Sequence, residues 1–314
     1  MNNKAKLVCM SHSPLMEHVA LDSQRQAPIV NVIRTVREEV LRFDPELIIM
    51  FGTDHFNGFF YDIMPSFCVG AKATAIGDFG IGSGELRVPK ALALECADHV
   101  LKNEIDIAIS YSMEVDHGLV QTLTHVAGSV DRYAVIPIFI NAAASPLPSC
   151  KRARLLGEAV GSFIKGLDKR VLIVGSGGLS HDPPIPQMAE ASPEIARFLV
   201  SGRRPSVAAR AAREARTIDA GRRFAQGDTN LRALNPEWDL EFITLMASQE
   251  LERADSLTSE QILACAGKGG QEVRCWIAAY SALRSMGAYR TQVKYYNPIP
   301  EWIVGMGVTT SSLV

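Results

Sequence analysis

The chain has 314 residues, of which 47% are hydrophobic and 21% are charged, the usage of an ordinary globular protein. Its 32 basic and 34 acidic residues leave a net charge of −2, so no overall positive field recruits nucleic acid or an anionic membrane. No segment approaches ~18 uninterrupted apolar residues, which argues against a membrane-spanning helix.

The N-terminus and the cysteines indicate the cellular compartment in which the protein is expected. Residues 1–6 lead straight into a predicted strand, without the apolar stretch and cleavage site of a signal peptide. The six cysteines are scattered and form no Cys-x-x-Cys pair, which indicates reduced, mostly buried thiols and not a disulfide framework or a zinc ribbon. We therefore expect a cytoplasmic protein.

Strand-like and helix-like segments alternate through the first 180 residues. Strands are predicted near 6–11, 46–52, 105–112, 134–140 and 170–175. Helices are predicted near 29–41, 89–102, 119–128 and 151–165. The Gly-rich stretch 77–84 is predicted to be a loop. Such alternation is typical of the α/β class, with a central mixed or largely parallel sheet flanked by helices.

Beyond residue 190 the pattern changes to nearly all helix. Helices are predicted near 193–201, 206–225, 237–250, 258–266 and 270–286, with a late strand over 291–296. No Pro/Ser-rich linker separates the two halves, so we expect residues 1–314 to form one domain with a helical C-terminal layer. The segment Arg203–Arg223 contains seven arginines and is predicted to be an amphipathic helix with a solvated or intersubunit face.

Four of the seven histidines lie in short loops directly after predicted strands, namely His12, His55, His117 and His181. In an open α/β sheet, ligands bind beyond the carboxyl ends of the strands, so we expect the four imidazoles to meet at one place. Imidazole is the commonest metal ligand, and it titrates near neutral pH. The pattern predicts a metal site with acid–base groups. The other three histidines fit structural or surface positions.

Neighbouring residues suggest how these histidines are held. Asp54 precedes His55 and could orient its imidazole as a hydrogen-bond acceptor. Asp116 precedes His117 and could tune the pKa of that imidazole or cap the following helix. The Gly-rich turn 175–180 lacks the spacing of a nucleotide-binding loop, and we expect it to let a substrate approach the backbone.

A carboxylate is still needed if two histidines hold iron. Two histidines and one carboxylate with open positions serve non-haem Fe(II) oxygen chemistry. Five acids near turns or helix starts are candidates: Asp54, Asp116, Glu237, Asp239 and Glu272. The residue pattern alone does not choose among them. It also leaves open a zinc hydrolase that activates water, and a non-enzymatic scaffold protein with the same fold.

The motifs together resemble the type III extradiol ring-cleavage dioxygenases, the superfamily of the protocatechuate 4,5-dioxygenase catalytic subunit. The matching pieces are Ser11–Pro14, Asp54–His55, Val115–Gly118, Gly175–His181 and Gly267–Glu272, the last followed by Trp276. They span positions 11 to 276 in the family's order, so the resemblance covers nearly the whole chain.

The resemblance implies opening of a catechol ring by dioxygen with Fe(2+) as cofactor. By motif, His12, His55 and Glu272 bind the iron, His117 donates a proton and His181 accepts one. The stretches 57–62, 75–80 and 295–302 imply the substrates 3-(2,3-dihydroxyphenyl)propionate and 2,3-dihydroxycinnamate, from aromatic-acid catabolism. We expect a homo-oligomer such as a tetramer, with no nucleic-acid or membrane partner.

Overall fold

The computed structural model describes residues 4–227 and 230–314. The strands of this part are β1 Ala5–Met10, β2 Leu47–Gly52, β3 Phe67–Gly70, β4 Ala73–Ile76, β5 Ser83–Glu85, β6 Ala108–Ser110, β7 Met113–Val115, β8 Val135–Ile140, β9 Val171–Ser176, β10 Tyr289–Ile299 and β11 Val304–Leu313. The α-helices are α1 Ser23–Phe43, α2 Lys90–Lys102, α3 His117–Ala127, α4 Cys150–Lys165, α5 Pro193–Ser201, α6 Val207–Ala225, α7 Pro236–Ser248, α8 Ser259–Ala266 and α9 Val273–Met286. Within the described residues, no helix combines the length and apolar character needed to cross a membrane.

The predicted α/β class with a mixed central sheet is confirmed. Eight strands form one sheet in the order β10-β11-β1-β9-β2-β8-β3-β6, and β5, β4 and β7 form a small second sheet. The central neighbours β1, β9, β2 and β8 run parallel to one another. Every residue of β2, β8 and β9 is buried, because helices cover both faces of a parallel sheet.

Strand alternation divides the core into two apolar layers. Leu7 and Cys9 of β1 point into the layer that contains α2, α4 and α9. Val8 and Met10 point into the layer that contains α1 and α3. Since successive side chains of a strand face opposite sides, one apolar run supplies both layers. The strand ends are therefore held rigidly, and the loops that follow them have defined positions.

The C-terminal half differs from the nearly all-helical prediction. The predicted helices are present, but the late strand is the 11-residue β10, and the 10-residue β11 was not predicted. β11 pairs antiparallel with β1 in the register Cys9 to Thr309, and β10 pairs with β11. The sequence of β11 is rich in Gly, Ser and Thr, so its apolar alternation is weak. Pairing with β1 stabilises it as a strand.

Candidate active site

The four histidines that follow predicted strands lie together at one edge of the sheet. β1, β9 and β2 are parallel neighbours, so the loops after them, which carry His12, His181 and His55, emerge side by side. His117 is the first residue of α3. The ring centroids of His12 and His55 are 5.4 Å apart, and those of His55 and His117 are stacked at 4.4 Å.

The Glu272 carboxylate lies among these imidazoles. Its Oε1 is 3.1 Å from Nε2 of His55 and 3.3 Å from Nε2 of His181. Its Oε2 is 3.5 Å from Nε2 of His12 and accepts a hydrogen bond of 3.0 Å from the backbone N–H of Gly178. The carboxylate is buried, so these groups are its immediate surroundings.

Two of the imidazoles are anchored at Nδ1 by neutral acceptors. Nδ1 of His181 lies 3.0 Å from the Leu179 carbonyl oxygen, which can only accept, so Nδ1 carries the hydrogen. Nδ1 of His12 lies 3.1 Å from Oγ of Ser176. That hydroxyl donates its own hydrogen to the Gly118 carbonyl at 2.6 Å and therefore accepts from His12. In the neutral form of each ring, Nε2 therefore has the free lone pair.

The other two imidazoles are anchored at Nδ1 by carboxylates. Nδ1 of His55 lies 3.1 Å from Oδ2 of Asp116, and Nδ1 of His117 lies 2.5 Å from Oδ2 of Asp78. Each acid also accepts the backbone N–H of the same histidine, at 2.9 Å in both cases. Such paired contacts fix the orientation of an imidazole and select the tautomer with the hydrogen on Nδ1.

This donor set fits a bound metal cation. With the hydrogen of each neutral ring on Nδ1, Nε2 of His12, Nε2 of His55 and the Glu272 oxygens would all present lone pairs to one another. Ligand atoms lie about 2.0–2.2 Å from a metal, so two ligands at right angles are about 3 Å apart. The distances of 3.1 and 3.5 Å from Glu272 to the two rings match this spacing. Ring nitrogens of His12, His55 and His117 also lie within 4.8 Å of one another, which makes His117 an alternative third ligand.

The electrostatics of the buried cluster favour the metal-binding forms of two groups. Burial lowers the pKa of His12 to about 3, despite the opposing effect of Glu272, and this keeps the Nε2 lone pair available at neutral pH. Burial would raise the pKa of Glu272, but the charge of His181 and the hydrogen bonds from His181 and His55 outweigh it and hold this pKa well below its usual value. The residue is therefore a carboxylate, the form that binds a cation.

The prediction that Asp54 orients His55 is wrong. The Asp54 carboxylate accepts from the backbone N–H groups of residues 57–59 and closes that loop instead. Asp116 contacts the ring, and its second oxygen accepts the N–H of Gly118 at the start of α3. The suggested capping of the helix by Asp116 is confirmed. Its carboxylate lies 3.1 Å from Nδ1 of His55 and 3.9 Å from Nδ1 of His117, so the imidazole that it holds is that of His55.

The remaining candidate acids do not face the cluster. Asp239 is buried and accepts from the backbone N–H and the hydroxyl of Ser180. Glu237 is exposed in the first turn of α7. Of the five acids that the residue pattern left open, Glu272 is the one that lies within 3.5 Å of three Nε2 atoms.

The Gly-rich turn after β9 makes room for Glu272 and not for a substrate. Gly177 has a φ of +109°, and a Cβ at this position would lie 2.4 Å from Oε2 of Glu272. Its carbonyl oxygen accepts a hydrogen bond of 2.7 Å from the indole of Trp276. The expectation that a substrate approaches this backbone is therefore wrong.

A cavity of about 640 Å³ opens above the histidines. Its walls are largely apolar and include Phe79, Ile185, Phe198 and Trp302. One face of α6 also lines it, through residues that include Arg213 and Arg216. The predicted helix over 206–225 is present as α6. At the cavity Arg213 is half-buried and Arg216 is exposed. The intersubunit face stays a prediction.

Residue-pattern reasoning also gave no function to Asp78 and Ser176, which anchor His117 and His12. Asp78 lies in a short 3-10 helix within the predicted loop 77–84, and 39 positions separate it from His117. The one local signal is an acid in a short turn between Gly77 and Gly80, and its burial is visible only in the structure. No local pattern connects it to the histidine that it contacts.

Residues 6–307 match the family described as the catalytic LigB subunit of aromatic ring-opening dioxygenase. The chain belongs to this family. It is 50% identical over 300 residues to a Cupriavidus pinatubonensis protein named 2,3-dihydroxyphenylpropionate/2,3-dihydroxicinnamic acid 1,2-dioxygenase, with 96% of each chain covered. Proteins of the same name are 47% identical in Photorhabdus laumondii, with 98% of each chain covered, and 46% identical in Escherichia coli, with 96% of this chain and 97% of the relative covered.

A solved structure shares the fold at much lower identity. The crystal structure of an uncharacterized Escherichia coli K12 protein superposes with a TM-score of 0.51 at 10% identity. The match covers 98% of this chain and 99% of the other. At this identity the likeness concerns the fold alone. The class of enzyme follows from the family match and the close relatives.

Proposed function

We propose that this protein is a non-haem Fe(II)-dependent extradiol dioxygenase. Its substrates are 3-(2,3-dihydroxyphenyl)propionate and 2,3-dihydroxycinnamate, whose rings it opens with dioxygen. The observation that carries the proposal is the convergence of three imidazole Nε2 atoms on the Glu272 carboxylate beside a large apolar cavity. Membership of an aromatic ring-opening family and the names of relatives near 50% identity support the reaction and the substrates.

The metal ligands in this proposal are His12, His55 and Glu272. Two histidines and one carboxylate are the set that suits Fe(II) in oxygen chemistry and leaves positions open for substrates. Bound Fe(II) would lower the pKa of the catechol hydroxyls and bring catechol and dioxygen together. Asp116 and Ser176 hold the two imidazoles with Nε2 directed toward Glu272.

His181 is the proton acceptor in this mechanism. The Leu179 carbonyl holds the hydrogen on Nδ1, so Nε2 of the neutral ring can take a proton from a catechol hydroxyl. The side chain lines the cavity, where a substrate reaches it. The ring thus needs no reorientation to act as a base.

His117 is the proton donor. Its Nδ1–H donates to the buried Asp78 carboxylate, which fixes the orientation of the ring and leaves Nε2 as the atom that can deliver a proton. A protonated His117 can deliver the hydrogen on Nε2 to the oxygen that gains negative charge as the ring opens. His117 also lines the cavity, so both proton-transfer groups reach the same bound molecule.

A methyl group at position 269 should disturb the base. A Cβ on Gly269 would lie 2.0 Å from Nε2 of His181, so the imidazole must turn away. We expect Gly269→Ala to lower turnover by ~10²-fold or more, the usual contribution of a positioned base. Overpacking should cost about 1–3 kcal/mol of unfolding free energy. Steady-state kinetics measure the turnover, and thermal unfolding measures the loss of stability.

The control is Gly287→Ala. Its new Cβ would approach Leu313 only to 3.6 Å, and turnover should be kept. Normal turnover in Gly269→Ala would contradict this packing.

The compartment and assembly belong to the same proposal. All six cysteines are free, and Cys265 is the exposed one among them, which supports a reducing compartment such as the cytoplasm. We further propose a single-domain protomer that assembles into a homo-oligomer. Sedimentation equilibrium of the iron-loaded protein measures the oligomeric state, and a monomer would contradict this part of the proposal.

The proposed reaction is tested by anaerobic reconstitution followed by an assay on a panel of substituted catechols. We expect Fe(II) to support oxygen uptake and the appearance of a ring-opened product, measured by oxygen electrode and absorbance. Zinc in place of iron should give no oxygen uptake. Hydrolytic activity that depends on zinc would favour a hydrolase. The absence of oxygen uptake with every catechol would favour a scaffold protein.

Air should inactivate the enzyme. Ferrous iron held by nitrogen and oxygen ligands with open positions is accessible to oxidants, so protein purified in air should have low activity. Incubation with ferrous iron and a reductant should restore it, as measured by oxygen uptake before and after treatment. Activity that does not respond to either reagent would contradict an Fe(II) enzyme.

A further inference from the structure

The face of α6 that lines the cavity combines small side chains with arginines. The residues at helical spacing on this face are Ala209, Ala212, Arg213, Arg216, Thr217 and Ala220. Positions three and four apart lie on one side of a helix, so these residues form a continuous wall. The alanines leave space in front of the two guanidinium groups.

Arg213 is the residue of this wall that connects to the histidine cluster, and its hydrogen-bond partners are neutral. Its guanidinium donates to the backbone oxygen of Phe56 at 3.2 Å and to Oδ1 of Asn57, and it packs over the ring of Phe198. Asn57 in turn donates to Asp116, which anchors His55. Arg213 is thus a positioning residue that helps to hold the support of the proposed metal site.

Arg216 lies one helical turn further along, about 4.5 Å in the direction of the axis. It is exposed to the cavity, and it makes no hydrogen bond or ion pair with any residue in 4–227 or 230–314. Neighbouring arginines differ, since Arg203 is paired with Asp62 and Arg223 with Asp219. The guanidinium of Arg216 is therefore available to a ligand.

The charges around this part of the cavity favour an anion. Beyond the histidine cluster, the acids that line it are Glu194 and Asp219, and Asp219 is 3.0 Å from Arg223. With Asp219 paired to Arg223, the two positive charges of Arg213 and Arg216 exceed the single negative charge of Glu194. Much of the surrounding wall is apolar, which strengthens attraction between a guanidinium and a bound anion.

We propose that Arg216 binds the side-chain carboxylate of the substrate and thereby selects catechols that carry an acid side chain. This inference rests on the proposed function, because that function puts the catechol hydroxyls at the histidines. The three-carbon side chain then crosses the apolar part of the cavity and ends at α6. A guanidinium binds a carboxylate through two parallel N–H···O bonds, which gives both affinity and orientation. The positive charge of Arg213 lines the same part of the cavity that the substrate side chain crosses.

The test compares two substrates in three variants of the iron-loaded enzyme. The substrates are 3-(2,3-dihydroxyphenyl)propionate and 3-propylcatechol, which has a side chain of the same length without the acid. We expect Arg216→Gln to raise KM for the acid about 10- to 100-fold, the usual effect of a lost charged hydrogen bond, with kcat nearly unchanged. KM for 3-propylcatechol should stay the same, and Arg216→Lys should restore part of the affinity for the acid. Arg222→Gln, on an exposed position of α6 outside the cavity, is the charge-matched control.

A second measurement does not depend on catalysis. Calorimetry with 3-phenylpropionate, which has the acid but no hydroxyl groups, should give a Kd about 10- to 100-fold higher for Arg216→Gln than for the unaltered protein. Equal Kd values, no binding by the unaltered protein, or equal rises in KM for both catechols would overturn the inference. If the unaltered protein cleaves no catechol, the proposed function fails. A Kd difference for 3-phenylpropionate would then still support a carboxylate site at Arg216.

Discussion

Glu272→Ala should abolish ring cleavage because the protein no longer retains iron. Glu272 supplies both oxygens that face the imidazoles, so its loss leaves His12 and His55 without the anionic member of the proposed ligand set. Loss of an outer partner of a metal ligand usually costs about 10- to 100-fold in metal affinity, and loss of a ligand should cost more. His12→Ala and His55→Ala should have the same effect.

Iron content in purified, folded protein measures this prediction directly. Plasma emission spectrometry after anaerobic reconstitution gives the iron per chain, and circular dichroism confirms the fold. Glu272→Gln keeps the size of the side chain, and should also lose iron. Glu237→Ala removes an exposed acid of α7 and should retain full iron and activity. Full iron occupancy in Glu272→Ala would assign the carboxylate ligand to another acid.

Replacement of either proton-transfer histidine should leave iron bound and slow the reaction. We expect His117→Gln and His181→Gln each to reduce turnover by ~10²–10⁴-fold, the usual contribution of a positioned acid or base. Their roles differ from those of His12 and His55 because three other side chains already supply the proposed ligands. The remaining metal positions are needed for catechol and dioxygen.

Iron stoichiometry and kcat measured on the same preparation separate the two possibilities for His117. Its ring nitrogen is close enough to those of His12 and His55 for it to be a ligand. Iron that falls in proportion to activity in His117→Gln would make His117 a ligand and reassign Glu272. His99→Gln, in α2 and away from the cavity, is the matched control and should change neither quantity.

Much of the site could be predicted because it depends on the ends of strands. Hydrophobic runs identified β1, β2 and β9, and the rule for open α/β sheets predicted that the loops after them meet. This reasoning needed no knowledge of loop conformation, so it located His12, His55 and His181 at one edge. The start of α3 at His117 depends on a local signal as well, because Asp116 is a good N-cap residue.

The prediction was poorest where pairing or packing overrides a weak local pattern. β11 has little apolar alternation, and it is a strand because β1 offers an unpaired edge. β3, β4 and β5 have only three or four residues each, too few for periodicity to be visible. The arginines of α6 were judged by charge alone, which does not indicate whether a guanidinium faces bulk water or a cavity.

The sequence by itself determined the fold class and the gathering of four histidines, because strand periodicity and strand ends are local properties. Only the tertiary structure decided which side chains support them. His55 meets Glu272 across 217 positions and Asp116 across 61, and His117 meets Asp78 across 39. The position of Arg216 on the cavity wall also depends on tertiary packing. Contacts between residues so far apart in the sequence arise from how helices and loops pack on the sheet. No local pattern of residues encodes that packing.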